Sequence, residues 1–294
     1  MRLPVHVVFC FAALLSIVST ESPAQITVID DLGRTVSLPA PARRVVSLAP
    51  SITESLFAIG AGDCLVGVTT FCDYPPAASA VPHIGGMTNP SIETILSLHP
   101  DLVVVSMEGN TREDFTKMTG LGVPVFVTNP RTLAGILRSL DQLGDLTGHR
   151  DHAARLVDSM SARAARARSR SSDKPLRTLL FVSLRPLIAA GGKTFLHELL
   201  ETAGARNVAA SAPGTYPAYS REAVLAENPD AIILTGDLTT DVAGLIAMFP
   251  EWGTLAAVRS GRVYSIDPDI VSRPGPRAVD ALEILSSLLH QGQR

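Results

Sequence analysis

Residues 90–105 read PSIETILSLHPDLVVV, and residues 219–234 read YSREAVLAENPDAIIL. Ser91 answers Ser220, Glu93 answers Glu222, Leu96 answers Leu225, and Pro100-Asp101 answers Pro229-Asp230. Each copy predicts a serine cap, a two-turn helix with an acid in its first turn, a Pro-Asp stop and a short aliphatic run suited to a buried strand. A unit written twice in this way points to two similar α/β lobes. Glutamate in a first helical turn is stabilised by the free N–H groups and the positive end of the helix dipole, so either acid alone has a local explanation. If the lobes sit side by side, the repeat also sets Glu93 and Glu222 at equivalent outward helix starts, on a common face that suits a two-fold symmetric partner.

Upstream, the chain opens MRLPVHVVFCFAALLSIVSTESPAQ, with basic Arg2, an apolar run over 5–18 and small residues at Ser22 and Ala24. This pattern predicts a secretory signal over 1–24, cleaved after Ala24. Its apolar core is too short for a comfortable span, and no later stretch reaches the roughly 20 apolar residues a span needs. Bulky Phe9 precedes Cys10 and the apolar run continues past it, which argues against lipidation there. The mature chain is expected to be soluble, exported and periplasmic, with enough length for two lobes with their own cores. The net charge of −3 is unchanged by losing Arg2 with Glu21, and the scattered basic residues offer no nucleic-acid surface. Cys64 and Cys72 flank a predicted strand, LVGVT, that would hold them about 20 Å apart, so two free, buried thiols are expected.

Along the mature chain, a hairpin turns at Asp31 to Gly33 and a buried strand covers 45–48. Ser51 and Glu54 have the spacing of a capping box for a helix that stops at Gly60. The loop FCDYPPAA after the next strand carries Tyr74 beside two prolines that exclude helix and central strand. In open parallel sheets ligands bind at that edge. HIGGMTNPS, with His83 and Met87, and SMEGN, ending in Asn110, are further candidate pocket loops. An apolar stripe from Leu133 to Leu143 predicts a helix ending near Gly148. Residues 150–172, rich in Ala and Arg and free of Gly and Pro, predict one helix linking a lobe over 25–149 to a lobe over 173–294, its arginines a solvated face. In the second lobe a strand over 178–183, a helix around 195–202 and a last strand over 262–266 are expected, followed by a helix whose start carries Arg277. The GGKT at 191–194 resembles a phosphate loop, but Leu187 stands where that motif needs glycine, which rejects nucleotide binding.

Tyr74, Tyr216 and Tyr219 fall on loops beside predicted strand ends or helix starts, where aromatic rings suit the flat face of a large ligand. No catalytic set emerges: there is no Gly-x-Ser-x-Gly, no paired Cys-x-x-Cys and no His-Glu-x-x-His. His149 and His152 make at most two metal ligands, and ordinary roles are expected for them as for His83 and His197. No enzymatic activity is expected.

With CDYPP, IGGMTNPSIETILSLHPDLVVV, YSREAVLAENPDAIILTG and SRPGPRAVDAL in view, the chain resembles the periplasmic cobalamin-binding proteins of ABC importers. The similarity covers nearly all of the mature chain. These segments are specific for a wider group that also carries haem and ferric siderophores. The resemblance implies two Rossmann-like α/β lobes joined by one long helix, a monomer with no resident cofactor, a ligand in the cleft and limited closure. It implies that Glu93 and Glu222 dock on arginines of the two subunits of an inner-membrane permease. It also implies that Tyr74 and Tyr216 line opposite walls of the cleft with Arg273. Met87, Ser106 and Ile270 stand where cobalamin carriers of enteric bacteria place further tryptophans, so a smaller corrinoid such as cobinamide is expected beside cobalamin. Haem, with Tyr74 as iron ligand, is the nearest alternative, and a ferric siderophore the next.

Overall fold

The computed structural model describes residues 25–169, 174–235 and 241–290. The expected signal segment and residues 170–172 of the expected linking helix lie outside them. Besides short 3-10 turns, the first part of the chain forms β1 (Ile26–Ile29), β2 (Thr35–Leu38), β3 (Val45–Ser47), α1 (Pro50–Ala58), β4 (Leu65–Val68), α2 (Ile92–Ser97), β5 (Leu102–Ser106), α3 (Arg112–Gly120), β6 (Val125–Thr128) and α4 (Leu133–Thr147). After α5 (Arg150–Arg168) come β7 (Leu176–Leu184), β8 (Leu187–Ala189), α6 (Phe195–Thr202), β9 (Ala205–Asn207), α7 (Arg221–Glu227), β10 (Ala231–Thr235), α8 (Val242–Met248), α9 (Ala256–Arg259), β11 (Val263–Ile266), α10 (Pro268–Val271) and α11 (Ala278–His290).

The repeat is matched in its caps, its turns and its strand anchors. Ser91 Oγ accepts from Thr94 N at 3.2 Å at the start of α2, and Ser220 Oγ accepts from Ala223 N at 3.1 Å at the start of α7. Each helix buries one aliphatic side chain completely, Ile95 and Val224, an anchor that contributes about 1.5–3 kcal/mol. Each helix is followed by a residue in the left-handed region, His99 (φ 45°) after the Leu98 cap of α2 and Asn228 (φ 41°) as the cap of α7, the two such non-glycine positions among the described residues. Left-handed backbone is disfavoured for side chains with a Cβ. Here an arginine from a neighbouring strand compensates: Arg44 donates to the Leu98 and His99 carbonyls, and Arg177 to those of Glu227 and Asn228. The two aspartates then fix the strands. Asp101 Oδ2 accepts from Arg43 N and Arg44 N, and Asp230 Oδ2 accepts from Arg177 N.

Strands β4-β3-β5-β6 form one parallel sheet. The second sheet runs β11-β10-β7-β8 with β9 also beside β7; its pairs are parallel except β7 with β8. Parallel strands need crossover helices that cover both faces, which is why 102–105 and 231–234 are unbroken aliphatic runs. Side chains alternate between faces: Leu102 and Val104 enter one core and Val103 and Val105 another, while Ala231 and Ile233 part from Ile232 and Leu234 in the same way.

The inner faces of the two sheets drain into one core. Val104 and Phe126 of the first sheet and Leu180 and Ile233 of the second belong to a single cluster, closed by residues of α4, α5, α6 and α11. The expectation of separate cores is thus corrected: each lobe has its own outer core, and the inner layer is common. Arg163 of α5 is also not merely solvated. It is half-buried and pairs with Asp280 and Glu283 of α11, each at 2.6 Å. A shared apolar layer resists the free relative motion that two small, polar-faced lobes would show.

Two local expectations change. Helix α1 begins at Pro50 with Ala49 as its cap and no side-chain cap bond, so Ser51 and Glu54 form no capping box. The glycine pair at 191–192 serves close packing: a Cβ on Gly192 would lie 2.1 Å from the Ala210 carbonyl oxygen. Cys64 and Cys72 are free and buried, as expected.

Candidate functional site

The carboxyl edge of the first sheet carries, in spatial order, the loops after β4, β3, β5 and β6. Crevices at such edges are where α/β folds bind ligands. The two edge strands also mark where the lobes meet. Beyond β4, Asp73 reaches Arg273 from beyond β11. Beyond β6, Arg131 donates to the Lys193 carbonyl, and the Leu133 N–H at the start of α4 donates to Glu198 of α6.

At the β4 end lies a five-membered charge cluster. Glu54, its side chain 2% exposed, accepts from Arg273 Nη1 at 3.0 Å and from Arg277 Nε and Nη2 at 2.8 and 2.7 Å. Arg273 Nη1 also donates to Asp73 Oδ1 at 2.7 Å, and its Nη2 lies 2.8 Å from Asp269 Oδ1. The two-pronged Arg277–Glu54 contact is the strong, orientation-fixing kind. Its hydrogen bonds to Glu54 hold the Arg277 pKa above the ordinary guanidinium value. Burial works against the charge of Arg273, and the hydrogen bonds of Asp73 and Glu54 with the field of Asp269 outweigh it, raising its pKa as well. Asp73 is held below the usual carboxylate range, first by its hydrogen bond to Arg273.

Tyr74, the next residue, is 45% exposed, and the Arg277 guanidinium sits 4.3 Å from its ring centroid. A guanidinium over a ring face fixes that face. Tyr216, 48% exposed, comes from the second lobe on a loop held by the Gly191 N–H to Thr215 carbonyl bond. Burial raises the Tyr216 pKa, and the nearby charge of Glu108 adds to this while Arg131 opposes it. The short segment of Gly191 that holds this loop also accepts, at the Lys193 carbonyl, a hydrogen bond from Arg131 of the first lobe at 3.3 Å, so the Tyr216 loop too lies at the junction.

The remaining expected ligand residues are partly buried. Met87 and Ile270 pack on the shared core. Asn110 has its amide engaged by the protein: its oxygen accepts from Ser106 N at 2.7 Å, and its nitrogen donates to the Leu48 and Met87 carbonyls at 2.9 and 2.8 Å. That side chain therefore positions Met87 and the 106–110 loop. Tyr219 packs against the outer core of the second lobe, and exposed His83 lies beside β4. His149 and His152 have ring centroids 6.4 Å apart, and among the described residues no group of three or more metal-ligating side chains comes together. Glu93 and Glu222 are both exposed in the first turns of α2 and α7. The Glu222 pKa is lowered, first by a backbone N–H and then by the Ser220 hydroxyl.

Sequence reasoning missed the roles of Asp73, Glu54 and Arg277 in this cluster. The usable signals were an acid immediately before Tyr74 and two arginines four residues apart in SRPGPR.

The chain is 32% identical over 273 residues to the uncharacterized ABC transporter substrate-binding lipoprotein YvrC of Bacillus subtilis, covering 90% of this chain and 85% of that one. Its structure resembles the periplasmic vitamin B12-binding protein BtuF of Vibrio cholerae, with a TM-score of 0.77, 29% identity, and coverage of 86% of this chain and 99% of that one. It resembles the periplasmic haem-binding protein RhuT from Roseiflexus almost equally, with a TM-score of 0.76, 28% identity, and coverage of 86% and 100%. These similar proteins are binding proteins rather than enzymes. The family described as periplasmic binding protein matches residues 45–270, and the chain, with its two Rossmann-like lobes and the α5 helix between them, belongs to that family.

Proposed function

We propose that this chain is the periplasmic substrate-binding component of an ABC importer, which captures a corrinoid between its lobes and delivers it to an inner-membrane permease dimer. The observation that carries the ligand reading is the pair of half-exposed tyrosines, Tyr74 and Tyr216, brought to the lobe junction from opposite lobes. With partly buried Met87 and Ile270 they offer aromatic and apolar surface suited to the broad, flat ring of a corrin. The similarity to a vitamin B12-binding protein supports this ligand, and the similarity to an ABC transporter lipoprotein supports the importer. In this reading residues 1–24 are a removed signal, and 25–149 and 173–294 are the lobes.

Haem is the second reading, favoured by the nearly equal likeness to a haem-binding protein. Tyr74 would then serve as an iron ligand. A corrinoid brings its own axial ligands and asks only for surface.

Glu93 and Glu222 dock the loaded protein on the permease, one per subunit. Exposed ion pairs of this kind contribute little each but fix orientation. The test is uptake of labelled cyanocobalamin or cobinamide by cells of the native host. Deleting this chain abolishes uptake, and Glu93→Ala with Glu222→Ala does the same while the purified variant keeps its ligand affinity. Undiminished uptake after deletion refutes the function; loss of affinity in the double variant refutes the docking role.

A further inference from the structure

Among the five groups of the junction cluster, two guanidiniums face three carboxylates, so the cluster carries one negative charge in excess. The three carboxylates are not equivalent. Glu54 is buried at 2% exposure and holds both arginines in place, and Asp269 is on the same short helix turn that presents Arg273. Asp73 is different: it comes, like Glu54, from the first lobe, but it stands 63% exposed and holds Arg273 by a single 2.7 Å contact. It is also the residue next to Tyr74. Folding of the cluster does not require it, because Glu54 and Asp269 already compensate Arg273.

We propose that Asp73 is a specificity-determining residue, a built-in counter-anion that occupies Arg273 across the junction and turns away metal chelates bearing carboxylates. The proposal rests on the corrinoid-carrier reading and deepens it. An anionic group seeking Arg273 must displace Asp73 and then stand beside its negative charge, whereas a ligand with amide side chains meets no such penalty. Specificity of this kind comes from a repulsive element set against the wrong ligand. At the β6 end of the junction Arg131 is likewise paired, with Glu108 at 3.4 Å.

The experiment titrates wild-type protein, Asp73→Ala, and Asp73→Ala with Arg273→Gln against three probes: haemin, haemin dimethyl ester and dicyanocobinamide. Haemin carries two carboxylates, and the ester has the same ring without them. Releasing one charged hydrogen-bond partner is worth about tenfold in affinity. Asp73→Ala is expected to bind haemin about that much more tightly, with ester and cobinamide affinities changed by less than about threefold, and the second substitution removes the gain. Where wild type binds no haemin, its appearance in Asp73→Ala is the same gain. Haemin affinity that does not rise in Asp73→Ala overturns the proposal. So does an equal rise for the ester, since that would mean looser lobes rather than a freed charge. Failure of wild type to bind cobinamide counts against the corrinoid reading alone, because the comparison of haemin with its ester stands without it.

Discussion

Replacing Glu54 by glutamine leaves the side-chain volume in place and removes the charge that two guanidiniums share. Three hydrogen bonds of 2.7–3.0 Å converge on a carboxylate whose side chain is 2% exposed, from arginines 14% and 15% exposed. Removing one partner of a buried ion pair costs about 3–5 kcal/mol because the other charge stays buried without compensation. Arg273 keeps Asp73 and Asp269, so the loss falls mainly on Arg277, which keeps the Asp269 carbonyl at 3.1 Å and the Tyr74 ring but no carboxylate hydrogen bond. That places Glu54→Gln near the lower end, about 3 kcal/mol, or a fall of roughly 5 °C in Tm for a chain of this size. Urea and thermal unfolding of the mature protein, followed by circular dichroism and by the single tryptophan, measure it. Glu93→Gln, exposed in a first turn, is the control and is expected within about 0.5 kcal/mol of wild type. A Glu54→Gln cost below about 1 kcal/mol would refute the reasoning, since the cluster would then be wet or rearranged rather than a buried, charge-matched joint.

Trp252 is fully buried and stacked 4.2 Å from Phe249 and 6.0 Å from Phe181, yet its indole N–H has no partner among the described residues. Trp252→Ala is expected to cost about 3–5 kcal/mol, and Trp252→Phe much less because it removes an unpaired polar group along with some packing; urea midpoints separate the two. Asp73 gives a pH dependence of definite sign. Its folded pKa lies below the unfolded value because Arg273 holds the anion, so its contribution is present above the ordinary aspartate range and fades as pH falls through the depressed folded value. The stability difference between wild type and Asp73→Asn should therefore shrink in acid, and a difference that grows there would contradict the assignment.

How much of this was legible in the sequence depended on whether the information was local. The repeat gave both helix–strand units because caps, Pro-Asp stops and aliphatic runs are decided within a few residues. Even the left-handed turns at His99 and Asn228 fall at matching places in it. The helices 195–202 and 133–147 followed from apolar periodicity in the same way. The shared inner core was not legible, because a strand's two faces look alike in composition when both are buried. The charge cluster was hidden for a related reason: Glu54 and Arg277 are 223 residues apart in the chain. Locally, Glu54 follows Ser51 at the spacing of a capping box, and nothing within a helical turn distinguishes that role from a partner contributed by the other lobe. Arg273 is marked only through a resemblance, and the sequence carries no sign that the Asn110 amide ties three backbone segments together.

The most direct test of the account is a parallel calorimetric and optical titration of the mature protein with cyanocobalamin, dicyanocobinamide and haemin. The account predicts one-to-one binding of a corrinoid, weakened when Tyr74 or Tyr216 is replaced by alanine, with haemin bound more weakly and without a tyrosinate-to-iron absorption band. Tight haemin binding with such a band, lost in Tyr74→Ala, and no corrinoid heat would contradict it.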